Sequence, residues 1–473
     1  MRVFDKFWIG GEWVEPDGTG FIDVISSSSE EVTGRVPSGT AKDAERAIAA
    51  ARSAFDGHWG ENSHQERAEW IGKLAGGLQE RTMDIGSTIS EEVGMPIGMS
   101  TVIQAGLPIA VTTSYTEVMG QVEWEREIGK SLVVKEPIGV VAAITPWNYP
   151  LHQIMAKVAP ALAAGCTLVV KPSSEAPLNA FILGEICEAI GLPPGIVNIV
   201  SGPGSEVGET MAAHPDVDMV SLTGSTGAGR RVMTLAAQTI KRVTLELGGK
   251  SANVILDDAD IKTAVTGGVN NAMLNSGQTC SAWTRMIVPR DKQKQAAEIA
   301  EATLATLPLG LSSDPEAKLG PLVSSGQRDT VMSYIEKGRQ AGAEVICGGV
   351  RPDKFEKGYF VEPTVFAEVD NGMAIAQEEI FGPVLSIIPY DSEDEAVRIA
   401  NDSIYGLGGG VWSGDQDRAM RVARKMRTGQ VDVNGGGFNT LAPFGGYKQS
   451  GLGRELGEFG LEEYFETKSL ALP

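Results

Sequence analysis

Between residues 40 and 92 apolar residues return every three to four positions, first in AKDAERAIAAARSAF and then in HQERAEWIGKLAGGLQER. That spacing gathers them on one face of successive helices. At 123–136 (EWEREIGKSLVVKE) polar and apolar positions alternate around Gly129, which predicts a β-hairpin. Short apolar runs then alternate with helical stretches. VVAAIT (140–145) predicts a buried strand, followed by a helix through Ala164. TLVVK (167–171), VNIVS (197–201) and MVSLTG (219–224) predict three more strands, followed by helices over 179–190, 205–213 and 228–239. Strand and helix alternating at roughly 25-residue spacing is the mark of a parallel α/β sheet with right-handed crossovers. A second α/β block follows Gly248, with strands near SANVIL, TRMIVP, AEVICGG and VLSIIPY, and the alternating YFETKSLAL closes the chain. That last strand has nothing local to pair with, so it is expected to join the earlier hairpin or a neighbouring subunit.

Composition narrows the class. With 61 acidic and 40 basic residues the 473-residue chain carries a formal charge of −21, which repels polyanions and argues against a nucleic-acid partner. A hydrophobic share of 42% and a charged share of 21% are those of a globular enzyme. The start, MRVFDKFWIGGEW, lacks the apolar core of a signal peptide. The stretch nearest to a membrane span, 154–170, is interrupted by Lys157, Pro160 and Gly165, so no membrane is expected. Four cysteines (Cys166, Cys187, Cys280 and Cys347) form no CxxC, which speaks against a disulfide framework or a zinc knuckle and fits a reducing cytoplasm. His58, His64 and His214 show no metal-ligand spacing, so no metal is assigned.

Two glycine clusters follow predicted strands. In Ser201-Gly-Pro-Gly-Ser-Glu-Val-Gly208 the last glycine misses the dinucleotide fingerprint by one place. Thr223-Gly-Ser-Thr-Gly-Ala-Gly229 opens a helix, where free N–H groups can meet a phosphate, but Arg230 rules out a Walker A loop. Either cluster alone reads equally well as a structural turn. Together they would lie at one sheet edge, where α/β folds bind ligands.

Cys280 sits in Asn275-Ser-Gly-Gln-Thr-Cys-Ser-Ala-Trp-Thr-Arg285, a turn of small residues before an apolar strand, whereas the other cysteines lie within apolar runs. Thr244-Leu-Glu-Leu-Gly-Gly-Lys250 places Glu246 between two leucines, where a carboxyl gains the raised pKa a general base needs. Thr145-Pro-Trp-Asn-Tyr-Pro150 sets the Asn148 amide at a proline-bracketed strand end, a suitable oxyanion donor.

With PWN at 146–148, TGST at 223–226, LELGGK at 245–250, GQTC at 277–280, EEIFGP at 378–383 and PFGGYKQSG at 443–451, the chain resembles the aldehyde dehydrogenase superfamily along essentially its whole length. The resemblance implies oxidation of an aldehyde to its acid with NAD or NADP, Cys280 being the nucleophile, Glu246 the base that activates water, and Asn148 the oxyanion donor together with the Cys280 N–H. For the cofactor it implies Trp147, Lys171, Ser174, Gly224, Ser225, Glu379 and Phe381. Lys171 and Glu379 would take the two riboses, Gly224 and Ser225 the pyrophosphate, and Phe381 the nicotinamide side. Relatives that pass the acyl group to coenzyme A lack a glutamate at this base position, so Glu246 favours hydrolysis. The implied fold is a Rossmann-like cofactor domain (1–119 and 138–247), a second α/β catalytic domain (248–458) and a small β oligomerisation flap (120–137 and 459–473) in a homodimer or homotetramer.

One departure bears on the cofactor. Many NAD-using members carry Glu three residues after the lysine, whereas here Lys171-Pro-Ser-Ser-Glu175 puts Ser174 there, so NADP is expected to be at least tolerated. The implied substrate tunnel is lined by Tyr149, Gln153, Phe438 and Phe444, which suits an apolar or aromatic aldehyde or merely a packed wall; His152 beside them reads as packing or function alike. Two rival readings stand beside this one. A cofactor-free cysteine esterase or acyl transferase would use the same three residues, and a non-catalytic scaffold should have lost one of them.

Overall fold

The computed structural model describes residues 1–57 and 59–473, so the expectation for His58 lies outside the described residues. Among the described residues the chain builds two large sheets and two small ones. The first large sheet runs in the order Gly451–Leu452, Arg242–Glu246, Met219–Thr223, Val140–Ile144, Thr167–Lys171, Val197–Ile199, Phe7–Ile9, Glu12–Val14. Its five central strands are parallel, and its edges are antiparallel. Met219–Thr223 and Thr167–Lys171 are buried along their whole length, which is why they show no polar face at alternate positions.

Helix Pro150–Ala164 crosses beneath this sheet with every residue buried. Pro150 opens it with a φ already helical and no N–H to lose, and Gly165 ends it in the left-handed region at φ 97°. It carries three polar side chains, His152, Gln153 and Lys157, into the interior. Each must therefore find a partner or serve a purpose.

The second large sheet runs Glu344–Cys347, Thr364–Ala367, Val384–Tyr390, Arg285–Pro289, Ala252–Ile255, Gly409–Trp412, Asp432–Val433, parallel except at its first pair. The chain thus changes sheets between Glu246 and Ala252. The hairpin Glu125–Ile128 and Ser131–Pro137 takes the tail Phe465–Ala471 as an antiparallel third strand, Thr467 opposite Lys135. A fourth sheet joins Arg2–Val3, Val32–Pro37 and Phe21–Ile25. Fold class is therefore α/β, with a Rossmann-like sheet, a second α/β unit and a β flap.

Three details of the fold bear on these expectations. Residues 205–213 are helical as expected, the segment opening with a wide turn at Gly204–Gly208 that runs into the helix Glu209–Ala213. Part of the 248–458 stretch also completes the first sheet: Gly451 pairs with Glu246 there, and Phe444 and Leu456 pack in that sheet's core. The helical stretch Ile97–Gln121, rather than 154–170, is long and apolar enough by length and composition to cross a membrane. Here it lies beside helices His64–Glu80 and Pro150–Ala164 with Val111, Tyr115 and Val118 buried.

Candidate active site

Cys280 follows a turn that the fold holds under strain. Asn275 and Ser276 adopt left-handed φ of 53° and 55°, and Gly277 follows at 75°. A Cβ on Gly277 would lie 2.1 Å from the Gly382 carbonyl oxygen, so only glycine fits. Each strained residue costs on the order of 1–3 kcal/mol and persists because its surroundings hold it. Gln278 supplies much of that hold: its Oε1 accepts from the Val323 N–H at 2.9 Å and its Nε2 donates to the Asn275 carbonyl at 3.1 Å. The Asn148 amide donates to the Gln278 carbonyl at 3.0 Å, while the Asn148 carbonyl accepts from Gln104 at 2.9 Å and Asn275 at 3.0 Å. Asn148 keeps one amide hydrogen in reserve, beside the turn that leads to Cys280.

Glu246 ends strand Arg242–Glu246 at 4% exposure, its Oε2 buried without a partner. Burial, then the charge of Glu455, drives its pKa well above the carboxylate range, against the pull of Lys157 and Arg454. Gly445 and Gly451 make room for it: a Cβ on Gly445 would lie 2.7 Å from Glu246 Oε1, and one on Gly451 2.1 Å from the Leu245 carbonyl oxygen. Burial, followed by the charges of Glu379 and Glu246, also raises the Cys280 thiol above its ordinary value. Cys280 must therefore lose its proton at or before attack.

The polar residues of helix Pro150–Ala164 extend the charge network. Lys157 donates to Thr223 Oγ1 at 2.6 Å and to Glu455 Oε1, and Thr223 donates to Gln153 Oε1 at 3.2 Å. Lys157 is fully buried and Glu455 is 5% exposed, so this is an ion pair shielded from solvent. Sequence reasoning missed both as site residues. They lie 298 positions apart, and only a charged residue inside an otherwise apolar helix signalled Lys157.

The features of a dinucleotide site lie at the carboxyl ends of the first sheet. Ser225 caps helix Thr226–Ala236 by accepting from the Ala228 N–H at 3.2 Å, leaving a helix N-terminus behind the loop Thr223–Gly229. The Gly224 N–H is spent on the Glu246 carbonyl at 2.9 Å. Lys171 is 4% exposed, its ammonium donating to the Pro172 carbonyl at 2.9 Å with donors to spare, and burial lowers its pKa to about 8. Ser174 is partly exposed on the loop after it. Glu379 accepts from the Gly249 N–H at 2.9 Å, and burial raises its pKa to about 7. A Cβ on Gly248 would lie 2.2 Å from Glu379 Oε2, and one on Gly249 2.3 Å from the Cys280 carbonyl oxygen, so these two glycines let carboxylate and nucleophile close on one turn. Phe381, at φ 57°, meets Trp147 edge to face with ring centroids 5.3 Å apart. Spare buried donors, an open helix end and a glycine cradle fit a dinucleotide.

Of the implied tunnel residues, Tyr149 reaches Thr279 Oγ1 at 2.7 Å, next to Cys280. Gln153 and Phe444 are buried, whereas Phe438 is 47% exposed and reaches both His152 and Phe444 with its ring. Phe438 therefore stands at the surface end of this aromatic row rather than inside it.

A sequence model of the aldehyde dehydrogenase family matches residues 13–470. A 3-succinoylsemialdehyde-pyridine dehydrogenase from a Pseudomonas species is 47% identical over 472 residues, 99% of each chain. The crystal structure of a mutant of aldehyde dehydrogenase C from Pseudomonas syringae, complexed with NAD+ and octanal, superposes with a TM-score of 0.97 at 47% identity, covering 99% of this chain and 96% of that one. An aldehyde dehydrogenase of Mycobacterium tuberculosis complexed with NAD+ gives a TM-score of 0.98 at 42% identity, over 100% of this chain and 99% of that one.

Proposed function

The chain belongs to the aldehyde dehydrogenase family, and from that membership we infer which residues carry its reaction and which aldehydes it takes. It oxidises an aldehyde to the carboxylic acid with NAD(P). What supports the residue assignment is that the Asn148 amide donates to the Gln278 carbonyl, two residues before Cys280, at 3.0 Å, while Gly249, three residues after Glu246, packs against the Cys280 carbonyl. Cys280 gives its proton to solvent water and adds to the aldehyde carbon, and the spare Asn148 amide hydrogen and the Cys280 N–H receive the oxyanion of the thiohemiacetal. When bound, the nicotinamide ring supplies the hydride acceptor. Loss of hydride leaves a thioester on Cys280. Glu246, proton-hungry because it is buried beside Glu455, takes a proton from water as that water attacks the thioester, releasing acid and thiol.

Lys171, Ser174, Gly224, Ser225, Glu379, Trp147 and Phe381 hold the cofactor, with Ser174 leaving room for NADP as well as NAD. The substrate is an apolar or aromatic aldehyde, guided by Tyr149, Gln153, Phe438 and Phe444. Three of these four are aromatic, and two relatives support the reading: one structure holds octanal and another relative is named for a pyridine semialdehyde. The flap is an oligomerisation surface of a homodimer or homotetramer, and four free thiols support a reducing, cytoplasmic setting.

The test is NAD(P)H formation by purified protein on aliphatic, aromatic and carboxylate-bearing aldehydes, alongside Cys280→Ala. Turnover that vanishes in the variant and is highest for apolar aldehydes supports the assignment. Preference for a carboxylate-bearing aldehyde overturns the substrate class, and cofactor-independent ester cleavage without NAD(P)H would favour the esterase.

A further inference from the structure

Helix Pro150–Ala164 buries three polar side chains, and two of them are engaged: Gln153 by Thr223, and Lys157 by Thr223 and Glu455. His152 is the third. It is 7% exposed, and its Nδ1 is buried without a hydrogen-bond partner. A polar atom withdrawn from water and left unpaired is a liability to the fold unless something else pairs it. The imidazole instead meets the Phe438 ring at 6.4 Å between centroids with planes at 82°, and Phe438 meets Phe444 at 6.1 Å.

His152 also follows closely on a residue tied to the nucleophile's turn. Tyr149, three residues earlier, reaches Thr279 beside Cys280 at 2.7 Å. Tyr149 is the non-helical residue before Pro150, and His152 lies on the first turn of the helix that follows it. An aldehyde whose carbon is at Cys280 and whose body follows Tyr149 toward Phe438 passes the imidazole several bonds from its reacting end.

We propose that His152 is a specificity residue that hydrogen-bonds a neutral acceptor, such as a ketone oxygen or heteroaromatic nitrogen, carried by the aldehyde several bonds from its reacting carbon. The inference rests on the reading of Tyr149, Phe438 and Phe444 as the path of the aldehyde. Burial, with the nearby Lys157 charge, lowers the imidazole pKa to about 4, so at neutral pH the ring is uncharged. An uncharged imidazole has one N–H to donate and one nitrogen to accept. It suits a neutral acceptor and does not supply the cation that a carboxylate would require. Phe438 at 47% exposure leaves the outer end of the row open enough for the remote part of such a molecule.

The experiment compares an aryl-substituted butanal with the same aldehyde carrying a ketone beside the ring. Values of kcat and KM are measured for the native enzyme, His152→Leu and His152→Gln. The native enzyme should prefer the ketone, and the ratio of the two kcat/KM values should fall about tenfold in His152→Leu, mostly through KM. His152→Gln, which keeps an amide donor, should recover part of the ratio, and it keeps the proposal testable if the leucine variant fails to fold. An unchanged ratio, even with both rates reduced, overturns the proposal and leaves His152 a packing residue. Phe444→Ala tests the underlying reading separately: if it alters neither substrate's kcat/KM, the aldehyde path itself lies elsewhere and the His152 proposal falls with it.

Discussion

The Asn148 side chain donates to the Gln278 carbonyl at 3.0 Å, tying the end of the strand Val140–Ile144 to the turn of Cys280. The amide has two hydrogens, one fixing the turn and one left for the oxyanion. Asn148→Ala should therefore lower kcat by about 10²–10³, the range seen for loss of one oxyanion donor. The effect on KM should be smaller, because the oxyanion forms only on the way to products. Steady-state kinetics with a saturating aldehyde separate the two. A loss confined to KM would remove Asn148 from the chemistry.

Glu246 is raised by burial and Glu455 and lowered by Lys157, which fixes the direction of two pH shifts. The base works when ionised, so thioester hydrolysis should rise with pH through the raised pKa of Glu246, above the ordinary carboxylate range. Glu455→Gln removes a negative neighbour and should move that limb to lower pH. Lys157→Met removes a positive neighbour and should move it higher. Single-turnover hydrolysis of the acyl-enzyme across pH reads both. Because Lys157 and Glu455 are a buried pair, Lys157→Met should also cost stability, about 3–5 kcal/mol by denaturant unfolding, whereas the amide of Glu455→Gln still accepts from Lys157. Limbs that do not move, or move the opposite way, would show that this network does not set the base.

The central strands were legible because burial on both faces writes a continuous apolar run, as at Thr167–Lys171, whose predicted and observed limits coincide. The edges of the same sheet were not. Phe7–Ile9 and Glu12–Val14 are three residues each around the turn at Gly10 and Gly11, and Gly451–Leu452 is two, too short for any period. Cys280, Glu246 and Asn148 stood out in the chain because each sits in a local run whose residue types announce a turn or a buried charge. Lys157 with Glu455, and the left-handed Asn275 and Ser276, are products of packing between segments far apart in sequence. His152 belongs to the same class: its residue type was plain, while its lack of a partner appears only once Thr223 and Glu455 have claimed its neighbours.

The flap carries its own prediction. The tail strand Phe465–Ala471 is an edge of its sheet, exposed from Glu466 onward, with Leu470 at 42% and Ile128 at 55% exposure. An open edge with apolar side chains invites a second chain. Leu470→Asp should shift the protein toward monomer at micromolar concentration in sedimentation velocity. If the native protein already sediments as a monomer, the assignment of this surface fails.

The cofactor loop gives the sharpest test of a single residue. A carboxylate three residues after Lys171 would hold a ribose 2′-hydroxyl and repel a 2′-phosphate, whereas Ser174 does neither strongly. The kcat/KM ratio of NADP to NAD should therefore be above about one hundredth, equivalent to less than about 2.7 kcal/mol of discrimination. Ser174→Glu should lower that ratio at least about tenfold by weakening NADP, since a like charge opposite the phosphate costs more than a kilocalorie in a partly buried site. Lys171 adds a pH signature. Its pKa is lowered to about 8 by burial, so the free enzyme loses this ammonium as pH rises past that value, and cofactor affinity should fall there for both nucleotides. Fluorescence titration of NAD and NADP between pH 7 and 9, on native and Ser174→Glu protein, separates the two effects: the substitution changes the ratio at every pH, and loss of the Lys171 charge weakens both together. A native enzyme that rejects NADP by more than a hundredfold would mean that a group other than residue 174 guards the 2′ position, with Glu175 on the same loop the first to examine.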